Sequence, residues 1–103
     1  MGSGLTRANA GGYIGTGAAL DINLDKVGFE PKRVTIYRKT TGIDMAVHVK
    51  GMADDSMYLT TGSTGVRTLV ATQAITLTDF GFSLGTNAAV NNSGDTFEYL
   101  AEE

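Results

Sequence analysis

Between Asp79 and Ala101 the chain places apolar side chains at every second position, breaks off in a polar run, and then resumes. Phe80, Phe82 and Leu84 alternate with Gly81, Ser83 and Gly85, and Phe97 and Tyr99 flank Glu98. A period of two puts one set of side chains on one face of a pleated strand, which is the pattern of a half-buried strand. Asn91-Asn92-Ser93-Gly94 supplies residues that tolerate positive φ, so the stretch reads as strand, polar turn, strand. On this reading Phe80, Phe82, Leu84, Phe97 and Tyr99 are core or sheet-face residues.

The same two-residue period recurs upstream. Leu20, Ile22 and Leu24 alternate with Asp21, Asn23 and Asp25. The only proline, Pro31, closes the turn Gly28-Phe29-Glu30-Pro31 and feeds a strand over 32–39, with Val34 and Ile36 set against Thr35 and Tyr37. After a hairpin connection at 40–44, Met45, Val47 and Val49 alternate with Ala46, His48 and Lys50, which predicts His48 on the polar face. Short strands follow over 57–61, 66–72 and 75–78, separated by loops of small polar residues. The sum is an all-β chain: one small β-sandwich or barrel-like domain of about seven antiparallel strands over 13–103. The last strand runs to the C-terminus inside the sheet.

Residues 1–12 hold four glycines and few anchors, and they read as a flexible N-terminal arm. Such an arm is either a loose tail or a segment that orders against a neighbouring subunit. In the second case Leu5, Arg7, Tyr13 and Ile14 are the candidate partner-binding residues.

Composition narrows the chemistry. A length of 103 residues makes one domain, and 14 Gly with abundant Thr favour turns and strands. The net charge of −3 gives no electrostatic footprint for nucleic acid. The chain has no cysteine, which removes disulfides and thiolate metal sites. No apolar run approaches the roughly 20 residues of a membrane helix, and Met1 to Arg7 does not read as a signal peptide. Asp21, Asn23 and Asp25 mimic the start of a calcium loop but lack its glycine and its distal glutamate. Asp54-Asp55 is a bare acidic pair. The expectation is no metal and no cofactor. His48 is the only histidine, and neither a nucleophile elbow nor a metal-ligand cluster accompanies it, so no enzyme is expected.

Two segments resemble tailed-bacteriophage virion proteins. Gly81-Phe-Ser-Leu-Gly-Thr-Asn-Ala-Ala-Val-Asn-Asn-Ser-Gly-Asp-Thr-Phe-Glu-Tyr-Leu-Ala101 is similar to an element that closes a small β domain in such proteins. Tyr13-Ile-Gly-Thr-Gly-Ala-Ala-Leu20, followed by Gly28-Phe-Glu-Pro-Lys-Arg-Val-Thr-Ile-Tyr37, is similar to the opening of the same domain. The resemblance implies a non-enzymatic structural component on the outside of a virion, assembled in the host cytoplasm. Its first form is a capsid decoration, or cement, protein. That protein would bind the major capsid protein or another virion protein and associate as a homo-oligomer, by analogy a trimer, without nucleic acid or membrane. Its second form is a tail or tail-fibre module that binds a host receptor or glycan. Many longer relatives end the 81–101 segment in a Trp-bearing strand, where this chain has Tyr99-Leu100, which disfavours sugar stacking.

Overall fold

The computed structural model describes residues 7–22, 27–39, 44–62 and 64–103. Eight strands form a single sheet: β1 (Ala8–Ile14), β2 (Leu20–Ile22), β3 (Arg33–Arg38), β4 (Met45–Val49), β5 (Ser56–Thr60), β6 (Arg67–Thr78), β7 (Gly81–Leu84) and β8 (Thr96–Glu102), with one helical turn, α1 (Ala88–Asn91). The strand order is β1-β8-β3-β4-β5-β6-β7-β2, and every pair is antiparallel. The chain is therefore all-β, as the alternation predicts, and the C-terminal strand lies inside the sheet between β1 and β3.

The connectivity forces this sheet to curl. β1 and β2 are consecutive in sequence yet occupy opposite edges. Laid flat, an eight-stranded sheet separates its outer strands by about 34 Å, at about 4.8 Å per gap. The link from Ile14 to Leu20 reaches only about 21 Å when fully extended. The sheet bends into a half-barrel and packs its concave face into one core. That core includes Ile22, Val34, Ile36, Met57, Ile75, Phe82, Phe97 and Tyr99, with Phe29 and Val90 completing it. Two ring contacts knit it across strands: Tyr13 stacks on Phe97 at 5.1 Å, and Phe82 meets Tyr99 edge-on at 5.3 Å.

The open end of the half-barrel is closed by Asn91, which is fully buried. Its side-chain Oδ1 accepts from the Thr16 N–H at 2.8 Å, and its Nδ2 donates to the carbonyls of Ala18 and Gly85 at 2.5 and 2.9 Å. Its own carbonyl accepts from the Gly17 N–H at 2.9 Å. One residue thus ties the β1–β2 link to the exit of β7. Gly15 lies so close that a Cβ there would stand 2.0 Å from the Asn92 carbonyl oxygen. Around it, the Gly15 N–H donates to Asp95 and the Gly94 N–H donates back to Gly15.

The register of β5 on β6 slips between Ser56 and Met57, whose partners are Ile75 and Val70. Residues 71–74 bulge out of β6 as a result. Asp55, at φ 65°, caps the bulge: its carboxylate accepts from the N–H groups of Gln73 and Ala74. Gln73 is itself at φ 57°. The two strands predicted over 66–72 and 75–78 are one long strand carrying this bulge.

Several sequence expectations change. The residues taken as a turn at Asn91–Gly94 include the last residue of α1, and Asn91 is interior rather than looped out. Asn87 caps that helical turn by accepting from the Ala89 N–H. Phe80 is 53% exposed, because it sits in the Asp79–Phe80 turn between β6 and β7, before the alternation of β7 begins at Gly81. His48 is inside at 1% exposure, while Met45, Val47 and Val49 face outward. The pairing explains the reversal. Directly paired residues share a face, and Val34 and Ile36, both interior, pair with His48 and Ala46. Of the predicted arm, Ala8 to Gly12 belong to β1 and pair with β8 from Glu102 to Glu98. Their small side chains leave the ladder free to form against Tyr99 and Ala101. Residues 1–6, Leu24 and most of the 40–44 connection lie outside the described residues.

Asn91→Leu keeps the branched outline with a somewhat larger side chain but leaves the Thr16 N–H and the Ala18 and Gly85 carbonyls without their partner at a partly buried site. We expect a loss of about 3 kcal/mol or more in urea unfolding. Asn92→Ala, which removes only a bond from Asn92 to the Asp95 carboxylate, should cost about 1 kcal/mol or less.

Candidate interaction surface

The convex face of the sheet carries apolar side chains that the described chain leaves uncovered. Pairing aligns Thr35 with Val47, Val47 with Tyr58, and Tyr58 with Leu69, so one row crosses β3, β4, β5 and β6. In this row Tyr58 is 44% and Leu69 58% exposed. The next row sets Tyr37, Met45, Thr60 and Arg67 side by side. Shallow hollows flank the Tyr58 ring. One of about 120 Å³ is lined by Met45, Val47, Thr60 and Arg67 with Tyr58; the other, of about 230 Å³, is lined by Met52, Ala53, Ser56, Leu69 and Ala71 with Tyr58.

The facing of β4 that buries His48 is also what exposes this surface. The Nδ1 of His48 lies 2.7 Å from the Ser56 carbonyl oxygen. A carbonyl only accepts, so Nδ1 carries a proton and donates it. That bond holds β4 at the position where its pairing with β5 has ended.

Several charged groups elsewhere on the sheet are paired. Arg38 reaches Asp95 with both Nε and Nη2 and approaches Asp44 at 3.4 Å, all three largely buried. Arg33 binds Glu102, Lys39 binds Glu98 and Lys50 binds Glu30 at the surface. The basic segment 32–39 is therefore largely neutralised by carboxylates of β8 and its approaches. Among the described residues, no group of three or more His, Asp or Glu is placed to hold a metal ion. No helix of the described residues is long and apolar enough to cross a membrane.

The four predicted partner-binding residues are dispersed. Leu5 is outside the described residues. Arg7 binds the Glu103 carboxylate through Nε and Nη2, and its guanidinium covers the Phe29 ring at 5.0 Å. The hydrogen bond from Arg7 holds the Glu103 carboxyl below its usual range. Tyr13 is a core residue whose hydroxyl donates to the Val90 carbonyl at 2.6 Å. Ile14 is 64% exposed, while the Arg7 side chain, also exposed, is engaged with Glu103 and Phe29. The Val47–Tyr58–Leu69 row was missed because apolar alternation says which residues share a face and not which face is inside. The cue lay in neighbouring β3, whose Val34 and Ile36 are interior and fix the facing of β4.

No protein-family profile, curated protein or solved structure matches this chain.

Burial pushes the Tyr13 phenol well above its ordinary value, and burial raises that of Tyr99 as well. A raised folded-state pKa means the unfolded chain releases a proton, above about pH 10, that the folded chain keeps. This part of the stability is intact below about pH 10 and is lost as the pH rises further. Denaturation at pH 8 to 11.5 should show that decline, and Tyr13→Phe should make it shallower.

Proposed function

We propose that this protein is a non-enzymatic structural component of a tailed-phage virion, a capsid decoration protein that docks on the head lattice through the convex face of its sheet. The observation that carries the reading is the exposed pair Tyr58 and Leu69, with half-buried Val47 beside them and two hollows flanking Tyr58. A contiguous apolar surface on a small soluble domain, rimmed by polar groups such as Thr60 and Arg67, is suited to binding another protein. A central aromatic between pockets is the usual form of an interface anchor. The face lies on hydrogen-bonded strands rather than on a loop, so docking there orders little chain. The sequence resemblance supplies the virion setting, and the partner it implies is the major capsid protein.

The segments that carry the resemblance meet in one place. Gly15 to Ala18 and Gly85 to Asp95 are joined by Asn91 and its neighbours. They build the closure of the fold, which supports reading them as a structural signature and leaves the convex face free to differ between partners.

The second form of the resemblance, a receptor- or glycan-binding tail module, draws on a specific feature of the same face: the half-exposed rings of Tyr37 and Tyr58, which can stack on a sugar.

The purified protein should bind empty expanded capsids at a fixed copy number. Leu69→Asp and Tyr58→Glu should each weaken that binding at least about tenfold while leaving the unfolding midpoint near that of the native chain. Failure to bind particles, with capture by host surface polysaccharide instead, would transfer the protein to the tail. Truncation should stop after residue 6, because removing residues 2–12 also removes most of β1.

A further inference from the structure

Among the described residues nothing pairs with the outer edge of β1, which is long and carries none of the usual edge protections. Two bonds fix which of its groups face β8: the Gly15 N–H donates to the Asp95 carbonyl, and the Glu103 N–H donates to the Arg7 carbonyl. In an antiparallel ladder the residues that exchange bonds alternate along the strand. Asn9, Gly11 and Tyr13 therefore turn their N–H and C=O toward β8. Ala8, Ala10, Gly12 and Ile14 turn theirs outward, where no described residue bonds to them.

Natural sheets guard such edges with charge, proline, bulges or brevity. β1 has none of these: Ala8-Asn9-Ala10-Gly11-Gly12-Tyr13-Ile14 is seven residues without a charge or a proline, and it pairs with β8 without a slip. The opposite edge differs, since β2 has three residues with exposed Asp21 at its centre.

We infer that β1 pairs with β1 of a second copy of this chain, antiparallel about a two-fold axis at Gly11, to form a continuous sheet across a dimer. The register is set by the outward groups. Ala8 lies opposite the second copy's Ile14, and Ala10 opposite its Gly12, each pair exchanging two backbone bonds. A two-fold contact requires a self-complementary surface, and this edge satisfies that requirement. It carries no charge to repel its copy, and the nearest outward carboxylates, Glu98 and Glu102, are already bound to Lys39 and Arg33. Small residues at 8, 10, 11 and 12 let two backbones approach. The exposed Ile14 side chain gains a neighbour in the second copy's Ala8. A charged or bulky foreign strand finds no matching feature along this edge, which favours the chain's own copy.

The contact is narrow beside the ~1,600 Å² of a standard interface, so the dimer is weak. Sedimentation equilibrium of the full chain from about 1 μM to about 1 mM should show monomer passing to dimer. Ala10→Pro removes an outward N–H to which no described residue bonds, and proline is tolerated at sheet edges. This variant should stay monomeric over the whole range. Amide exchange of the native chain gives a reading independent of any variant: Ala10 and Gly12 should become protected as concentration rises. A native chain that is monomeric at about 1 mM, a trimer in place of a dimer, a dimer that survives Ala10→Pro, or Ala10 and Gly12 amides indifferent to concentration would overturn the inference. Leu69→Asp leaves this edge intact and should still dimerise, so failure on the particle and failure of the dimer are read separately.

Discussion

The buried amide of Asn91 is the constraint on which the rest of the structure depends. The half-barrel has its two outer strands joined by a link too short to span a flat sheet, and the polar backbone of that link must be satisfied where it packs against the closure. Asn91 does this with one side chain, accepting from Thr16 and donating to Ala18 and Gly85. Buried amides are costly unless their bonds are made, and here each partner is itself a backbone group that has left a ladder. The same point fixes α1, through which Val90 closes the core and receives the Tyr13 hydroxyl. From this closure follow the curl of the sheet, the concave core, and a convex face with nothing from the described chain laid over it.

Much of this fold is legible in the residues. Alternation over 20–22, 33–38, 56–60 and 96–102 marks strands, and turn chemistry at Gly28–Pro31 and Gly51–Asp55 marks their breaks. What alternation does not carry is sidedness. Met45-Ala46-Val47-His48-Val49 reads as apolar-in by composition, and the opposite facing wins because Val34 and Ile36 on the neighbouring strand are interior. Nor does it carry long-range pairing: Asn91 reads as a turn residue locally, and its interior role arises from groups more than seventy residues away at Thr16 and Ala18. Glycine-rich Ala8–Gly12 looks like a tail by local propensity, but β8 supplies the ladder that makes it a strand. The candidate surface was missed for the first of these reasons, and the open edge of β1 for the last.

The molecule differs from face to face. The concave side and the closure hold the core and the Asn91 bonds. The convex side presents Tyr58 between two hollows. The β1 edge presents unpaired backbone. A chain built this way can keep one framework while its convex face changes residue by residue, since substitutions at Val47, Tyr58 or Leu69 leave the Asn91 bonds and the core stacking untouched.

Amide hydrogen exchange at Thr16 tests the closure most directly. Thr16 lies in an exposed link between two edge strands, where an unbonded amide exchanges freely. Bonded to Asn91, it should exchange only as slowly as the core strands, through global unfolding, and it should lose that protection in Asn91→Ala under conditions where the core strands remain protected. A Thr16 amide that exchanges in the native chain as fast as the surface loops would contradict the account.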